Sequence, residues 1–412
     1  MDKGAIVSAN TLKEKLLSGE TKRRSPDMRA TAPTPTRQAT QGRVTVPTTP
    51  GVLLQDGPTG AMKMRYNPAL DGLRAIAITF VILFHSDREI FPGGWIGVDI
   101  FFVLSGYLIT TILAFELKKT GSISWRNFYA RRALRLTPAL LVMAAFLILV
   151  STFTHDNELR QSVMIGAVYL ENWNKIFGFV ADGPTNLMGH TWSLATEEQF
   201  YLLWPITLFA IFKRHPALWL GAAIAAMMIA RVWLWRAGAL DHLIFGLDAR
   251  PVGLLVGCLL ALTPLARLPR LSAAVAISAM AVLFAIGLLV GADLHWRLIL
   301  SPLIASVATA AIIVAASPGS ATAQLLAWGP AVYVGRISYG LYLYSFPIFL
   351  LGERWKVHAP FHLYGVGLIA LIIIVAAASY EFVERPFLRL KDRFKGRTAI
   401  GIIAGSGLAV RS

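Results

Sequence analysis

The chain has 412 residues, of which 55% are hydrophobic and 15% are charged, and its mean hydropathy is +0.58. This composition excludes an ordinary soluble domain and predicts that lipid is the solvent for most of the chain. The net charge of +16 lies in clusters between apolar runs, which excludes a nucleic-acid-binding domain and favours anionic lipid headgroups. The single cysteine, Cys258, excludes an intrachain disulfide or a thiolate metal cluster, and we predict no metal site.

The first segment, residues 1–62, is rich in Thr and Pro with scattered Lys and Arg. It has too few apolar residues to form a core, and it lacks the continuous apolar stretch of a secretory signal. We therefore predict a disordered, basic, cytosolic tail.

Apolar segments long enough to cross a bilayer follow one another through the rest of the chain. They predict an all-α, polytopic transmembrane bundle of about ten spans in a membrane domain covering residues 63–397, followed by a tail at 398–412. The predicted spans are 70–87, 95–115, 135–153, 195–212, 216–235, 247–264, 272–291, 298–316, 331–351 and 363–383.

Clusters of Lys and Arg between these segments predict the orientation of the bundle. The clusters at 118–135, 213–214, 267–270 and 385–397 all face the cytosol if both termini are inside. This assignment requires residues 154–194 to stay outside, so we interpret the apolar stretch 163–180 as re-entrant or interfacial rather than as an eleventh span.

Two ionisable residues lie in the first predicted span, where each is costly to insert and therefore a functional candidate. Arg74 and His85 are eleven residues apart, so they share one face of a helix at a separation of about 16 Å. A histidine can take a proton from an attacking hydroxyl, and an arginine can hold an acyl or phosphate oxygen. The alternative is that both side chains snorkel to opposite membrane surfaces.

A basic patch precedes the third span and contains Arg131, Arg132 and Arg135. Spacings of three and four residues place two guanidinium groups on one helix face, which suits a ligand that carries phosphates. The alternative is ordinary anchoring of the span at the cytosolic surface.

The run from His190 to Tyr201 places polar groups at the mouth of the fourth span. His190, Ser193 and Glu197 would lie near one helix face, but parallel side chains on a single helix rarely assemble a nucleophilic triad. We predict that Glu197 is instead the orienting or proton partner of the His85 imidazole, and that Trp192 and Ser193 bind substrate. Solvation of the acids at the membrane interface is the alternative.

Further substrate-binding candidates lie in the second half of the chain. Tyr339 and Tyr342 are one helical turn apart in a segment deep enough to line a cavity, although aromatic residues also mark membrane interfaces. Arg250 is a lone charge near the start of the sixth span, and it could pair with Asp248 or with a substrate oxygen.

Across residues 66–390 the chain resembles the acyltransferase-3 family of integral membrane acyltransferases. The resemblance rests on the order and spacing of several motifs rather than on any one of them. They are Arg74-x10-His85, Phe102 to Tyr107, Arg131-Arg132-x-x-Arg135 with Pro138, Trp192-Ser193-Leu194-x-x-Glu197-x-Gln199-Phe200-Tyr201, Ser338 to Pro347, and Glu384-Arg385-Pro386.

The resemblance implies a multi-pass protein of the cell membrane that takes acyl-CoA as a cytosolic co-substrate and binds no permanent cofactor. The acceptor it implies is a hydroxyl of a sugar in a glycan, a glycolipid or a macrolide-type metabolite. It also implies that His85 and Arg74 are catalytic, that Glu197 assists, and that the Arg131–Arg135 cluster binds the donor phosphates. Many members of the family have His where this chain has Ser345, so any role of that second histidine is absent here and His85 is the main candidate for the catalytic histidine.

Two other classes of protein compete with this interpretation. A transporter would also carry charged residues inside its spans, and it predicts inverted repeats or paired broken helices. A structural membrane protein predicts that both His85 and Arg74 can be lost without effect. Direct transfer and a covalent histidine intermediate both remain open for the enzyme.

Overall fold

A computed structural model describes residues 54–56, 62–64, 66–180, 186–263, 272–291, 295–354 and 361–390. Strand β1 (Leu54–Asp56) pairs antiparallel with β2 (Met62–Met64), with Leu54 opposite Met64. Strand β1 lies within the predicted tail 1–62, and β2 begins at its last residue. The rest of that tail and the predicted tail 398–412 lie outside the described residues.

All other regular structure in the described ranges is helical. The helices are α1 (Pro68–Ser86), α2 (Gly97–Thr120), α3 (Trp125–Phe153), α4 (Asn157–Ala167), α5 (Glu171–Phe177), α6 (Trp192–Ile211), α7 (Pro216–Arg236), α8 (Leu240–Phe245), α9 (Val252–Leu262), α10 (Ala273–Leu289), α11 (His295–Ala315), α12 (Ala321–Leu326), α13 (Gly329–Arg336), α14 (Ser338–Arg354), α15 (Phe361–Ser379) and α16 (Arg385–Leu390). Short 3₁₀ turns precede α2 and α6, and a π-helical segment, Tyr380–Glu384, joins α15 to α16.

Every predicted span overlaps a helix of the described residues, so the prediction of a helical membrane bundle is confirmed. By length and composition, six described helices could cross a membrane. The ninth predicted span is a bent pair, since α13 and α14 meet at 65°, and this pair could form a seventh crossing. The predicted total of ten spans and the orientation of the termini are not tested by this count.

The stretch 163–180 does not form one continuous helix. It comprises the end of α4 and all of α5, and Tyr169 between them has a positive φ of 59°. Because a left-handed residue cannot continue an α-helix, the chain turns at Tyr169; whether this stretch is re-entrant or interfacial stays a prediction.

Large apolar side chains cover the outer faces of several helices, where a soluble protein would carry polar ones. Examples on α3, α6 and α7 are Leu141, Phe146, Leu149, Leu202, Ile206, Phe209, Trp219, Ile229 and Trp233. Lipid is the environment that these exposed faces require.

Helices α2 and α9 pack with their backbones in close contact. A Cβ atom on Gly106 would lie 2.1 Å from the Leu254 carbonyl oxygen, and one on Gly257 would lie 2.2 Å from that of Val103. Small residues at four-residue spacing, as at Gly253 and Gly257, allow this approach in membrane helices. The crossing brings the first turn of α2 against the residues that precede α9, which positions an ion pair described below.

Candidate active site

Two cavities that combine charged and apolar side chains lie within the helix bundle, and both are lined by Val98 and Tyr342. The arginine cavity has a volume of about 130 Å³, and its polar lining comprises Arg74, Ser105, Arg132, Arg135, Ser193, Glu197, Ser338, Tyr339 and Tyr342. The histidine cavity has a volume of about 390 Å³ and is lined by residues that include His85, Arg88, Trp95, Lys175, His190, Trp192, Arg231, Arg250, Tyr342 and Phe346.

Arg132 is held by several groups in the arginine cavity. Its Nε donates to Glu198 Oε1 at 2.9 Å, and its Nη2 lies 3.8 Å from Glu197 Oε1. The guanidinium also stacks over the Tyr201 ring, 3.3 Å from the ring centroid, and the Tyr201 hydroxyl donates to Glu197. Two carboxylates therefore neutralise Arg132, and its role is to organise this cavity from within.

The two other arginines of this cavity differ in their partners. Arg74 donates to Asp71 Oδ1 at 2.6 Å, and Asp71 also accepts from the Tyr66 hydroxyl. Arg135 makes no hydrogen bond or ion pair with the part of the chain that the structure describes. Arg135 thus has all of its guanidinium donors available to a ligand, whereas Arg74 uses one of its own on Asp71.

Arg131 lines neither cavity, unlike the two arginines predicted to act with it. It is 100° from Arg132 around the axis of α3 but only about 40° from Arg135, so helical periodicity alone does not separate it from both. The predicted three-arginine cluster is therefore divided by the fold.

The predicted contact between Glu197 and the His85 imidazole is absent. Glu197 lines the arginine cavity, where its contacts are with Arg132 and Tyr201, whereas His85 lines the histidine cavity. Helical periodicity places Arg74 and His85 on one face of α1. Arg74 on this face lines the arginine cavity, and His85 lines the histidine cavity.

A second imidazole lies in the histidine cavity beside that of His85. The ring centroids of His85 and His190 lie 5.3 and 5.0 Å from that of Phe346. The Nδ1 atoms of both histidines are buried, and neither has a hydrogen-bond partner among the described residues.

Pro347 determines how the His190 ring is oriented. A proline within a helix has no N–H, so Pro347 leaves the carbonyl of Leu343 in α14 without its usual donor. His190 Nε2 lies 3.0 Å from that carbonyl oxygen and must carry the hydrogen, since a carbonyl can only accept. A neutral His190 therefore presents the lone pair of Nδ1, which is the form that a general base requires.

Tyr342 joins the two cavities through a chain of hydrogen bonds. Its hydroxyl donates to the His190 carbonyl oxygen, so the Ser193 hydroxyl, 2.7 Å away, donates to Tyr342. Tyr339 lines the arginine cavity and donates to the Leu136 carbonyl at 2.7 Å. Trp192 lines the histidine cavity, so all four of these predicted substrate-binding residues reach a cavity.

Arg250 forms a buried bidentate ion pair with Asp99, not with Asp248. The Arg250 Nη1 donates to one Asp99 oxygen and Nη2 donates to the other at 3.0 Å. The two side chains are 3% and 0% exposed, and the ring of Trp192 lies 5.6 Å from the guanidinium. Asp248 instead contacts His242 at 2.8 Å on the surface. The close α2–α9 crossing explains the pairing, because it brings Asp99 to Arg250.

Arg231 also lines the histidine cavity, and sequence reasoning missed it. Its guanidinium donates to four backbone carbonyls, those of Leu243, Ala249, Leu298 and Ile299. Pro302 in α11 frees the Leu298 carbonyl, as Pro347 does in α14. A lone arginine inside the apolar segment 216–235 was itself a signal for a functional or packing role.

Ser345, which stands where many family members have His, is fully buried and donates to the Tyr342 carbonyl at 3.2 Å. It does not line either cavity, whereas its neighbour Phe346 does. The second histidine near His85 in this chain comes from the turn before α6 instead. Among the described residues, no group of three or more His, Cys, Asp or Glu could hold a metal ion.

The fold and the cavities define a multi-pass membrane protein with a polar site inside its helix bundle. A family model described as an acyltransferase domain matches residues 67–381, so the chain belongs to the acyltransferase-3 family.

Curated relatives agree with this assignment. The chain is 34% identical to the peptidoglycan O-acetyltransferase OatA of Listeria monocytogenes over 81% of its length, and 34% identical to the O-acetyltransferase OatA of Staphylococcus aureus over 78%. It is 35% identical to the putative peptidoglycan O-acetyltransferase YrhL of Bacillus subtilis, also over 78%. The chain spans 55–58% of the length of these relatives. No solved structure matches it.

Proposed function

We propose that this protein is an O-acyltransferase of the cell membrane that moves an acetyl or other short acyl group from acyl-CoA to a sugar hydroxyl of a glycan. The relatives named above as O-acetyltransferases support this reaction class. The observation that carries the proposal is the pair of cavities that share Tyr342, one rich in arginine and the other containing two histidines.

On the donor side, the arginine cavity suits the phosphate-bearing part of acyl-CoA. Arg135 has guanidinium donors available, and Arg74 adds a second positive charge beside it. In a ten-span bundle with both termini inside, Arg74 lies nearer the cytosolic end of α1 than His85 does. The donor then enters from the cytosol and the acceptor from the opposite side.

On the acceptor side, His85 acts as the general base, and His190 provides a second lone pair in the same cavity. The imidazole takes the hydroxyl proton while the hydroxyl oxygen attacks the thioester carbonyl carbon. The carbon–sulfur bond then breaks, and the CoA thiolate leaves and takes up a proton. Glu197 contributes by holding Arg132 and Tyr201 rather than by contacting the base.

The test is transfer of radiolabelled acetyl from acetyl-CoA to glycan in membranes that contain the full chain. We expect His85→Ala to lower the rate about 10²- to 10⁴-fold, the contribution typical of general-base catalysis. His155→Asn is the matched control, since His155 is exposed and has a positive φ of 53° that Asn tolerates. A wild-type rate in the His85→Ala variant that still inserts would refute the role of His85.

A transporter is the second candidate, and the 65° break between α13 and α14 is the observation that favours it. Proteoliposomes separate the two functions. An enzyme releases CoA in step with acylated glycan, whereas a transporter moves its substrate across the bilayer without consuming acyl-CoA.

A further inference from the structure

The histidine cavity is lined by several cations and, among the described residues of its wall, by no acid. The arginines in this wall are Arg88, Arg231 and Arg250. Asp99, behind the wall, neutralises Arg250. Arg231 has no salt bridge among the described residues and donates to backbone carbonyls, and Arg88 at the exposed rim lies over the Phe84 ring at 4.9 Å. The cavity therefore keeps a positive potential.

Hydrogen-bond donors remain on these cations after their protein partners are counted. A guanidinium has five N–H groups, and Arg250 uses two of them on Asp99. Arg231 uses four on carbonyls, which leaves one. A ligand with several acceptor oxygens and a negative charge would accept hydrogen bonds from the remaining donors and would be attracted by the positive potential of the cavity.

The other walls of the cavity suit a sugar. Trp95 and Trp192 provide flat aromatic surfaces, and Trp192 packs edge-on against Phe245 with centroids 5.1 Å apart. The Trp95 Nε1 donor is buried without a partner in the described ranges, as are the Nδ1 atoms of His85 and His190. A hydroxylated ring can donate to the imidazoles and accept from the indole at the same time. The cavity volume falls in the range of small-molecule sites.

We propose that the histidine cavity selects an acidic acceptor, a sugar that carries a carboxylate or phosphate close to the hydroxyl that is acylated. This inference rests on the proposed function and narrows its substrate class. The anion lies against Arg231, Arg250 and Arg88, while the hydroxyl reaches the histidines.

Binding of monosaccharides to the full chain in nanodiscs tests the anion site independently of turnover. The probes are glucose, glucuronic acid and glucose 6-phosphate. Binding is measured by isothermal calorimetry and by the shift of the thermal unfolding midpoint that each sugar causes. We expect one or both acids to bind at least tenfold more tightly than glucose, and we expect this preference to weaken from 50 to 500 mM NaCl. The two acids distinguish a carboxylate from a phosphate. Equal binding of all three sugars, or a preference insensitive to salt, overturns the proposal.

Variants assign the preference to this cavity. Arg88→Glu reverses a charge at the exposed rim, so the chain should fold normally, and we expect the advantage of the acid over glucose to fall about tenfold. Arg236→Gln is the control, because Arg236 is exposed at the end of α7 and does not line the cavity. Loss of the preference in both variants, or in neither, contradicts the assigned site.

Measurements of acyl transfer distinguish the acidic-acceptor proposal from the broader proposal that the protein is an acyltransferase. Wild-type transfer to neutral and acidic oligosaccharides at equal rates would leave the acyltransferase function intact and remove the acidic-acceptor inference. Selective binding of acidic sugars with no transfer to any glycan would support the anion site and count against the acyltransferase function.

Discussion

The buried pair of Asp99 and Arg250 makes a strong prediction about stability. Asp99→Asn keeps the shape of the side chain but removes its charge, so Arg250 becomes a buried cation without a counter-ion. The two hydrogen bonds in the pair are charge-assisted, and each such bond contributes about 1.5–3 kcal/mol. Breaking a buried ion pair from one side costs about 3–5 kcal/mol. We therefore expect Asp99→Asn to lower the free energy of unfolding by about 4 kcal/mol.

A double-mutant cycle isolates the pair from other effects of each substitution. Arg250→Gln should cost a similar amount, because it leaves Asp99 buried and unpaired, and the double variant should lose clearly less than the sum. We expect a coupling energy of about 3 kcal/mol, at the upper end for contacting residues. The assay is reversible unfolding of the purified chain in mixed micelles, followed by tryptophan fluorescence.

The exposed pair of His242 and Asp248 provides the control. The Asp248 side chain is 64% exposed, so Asp248→Asn should change the unfolding free energy by less than about 1 kcal/mol. Additive losses from the two single substitutions in the buried pair would refute the reasoning. So would a loss from Asp99→Asn no larger than that of the control.

Three further predictions concern the cavities and the helix packing. His190→Ala should lower the acyl-transfer kcat about 10²-fold without loss of the folded chain, because it removes the Nδ1 lone pair from the histidine cavity; an unchanged kcat at normal expression would contradict this role. Arg135→Gln should raise KM for acyl-CoA about tenfold with little change in kcat, as measured by initial rates, whereas the exposed Arg126→Gln should change neither. Gly257→Ala should destabilise the chain by about 1–3 kcal/mol in the micelle assay, since its Cβ would meet the Val103 carbonyl; tolerance of the substitution would mean that α2 and α9 can separate at little cost.

Sequence alone selected residues that line the two cavities, because ionisable residues in apolar segments are few and each needs a polar environment. Of the residues predicted to be catalytic, donor-binding or substrate-binding, Arg131 is the one that lines neither cavity. Helical periodicity also placed Arg74 and His85 on one face correctly. It could not show that this face opens into two separate cavities, because the boundary is formed by Val98 and Tyr342 from other helices.

The apolar composition and the placement of Lys and Arg thus determined that this is a helical membrane protein, because insertion into lipid depends on local properties of each segment. Only the tertiary structure determined which side chains contact one another. Arg250 pairs with Asp99, 151 residues away, rather than with nearby Asp248, because the α2–α9 crossing brings them together. Glu197 contacts Arg132 rather than His85, and the free carbonyls made by Pro302 and Pro347 orient Arg231 and His190. Such contacts depend on which helices are neighbours, and hydrophobic periodicity carries no information about that.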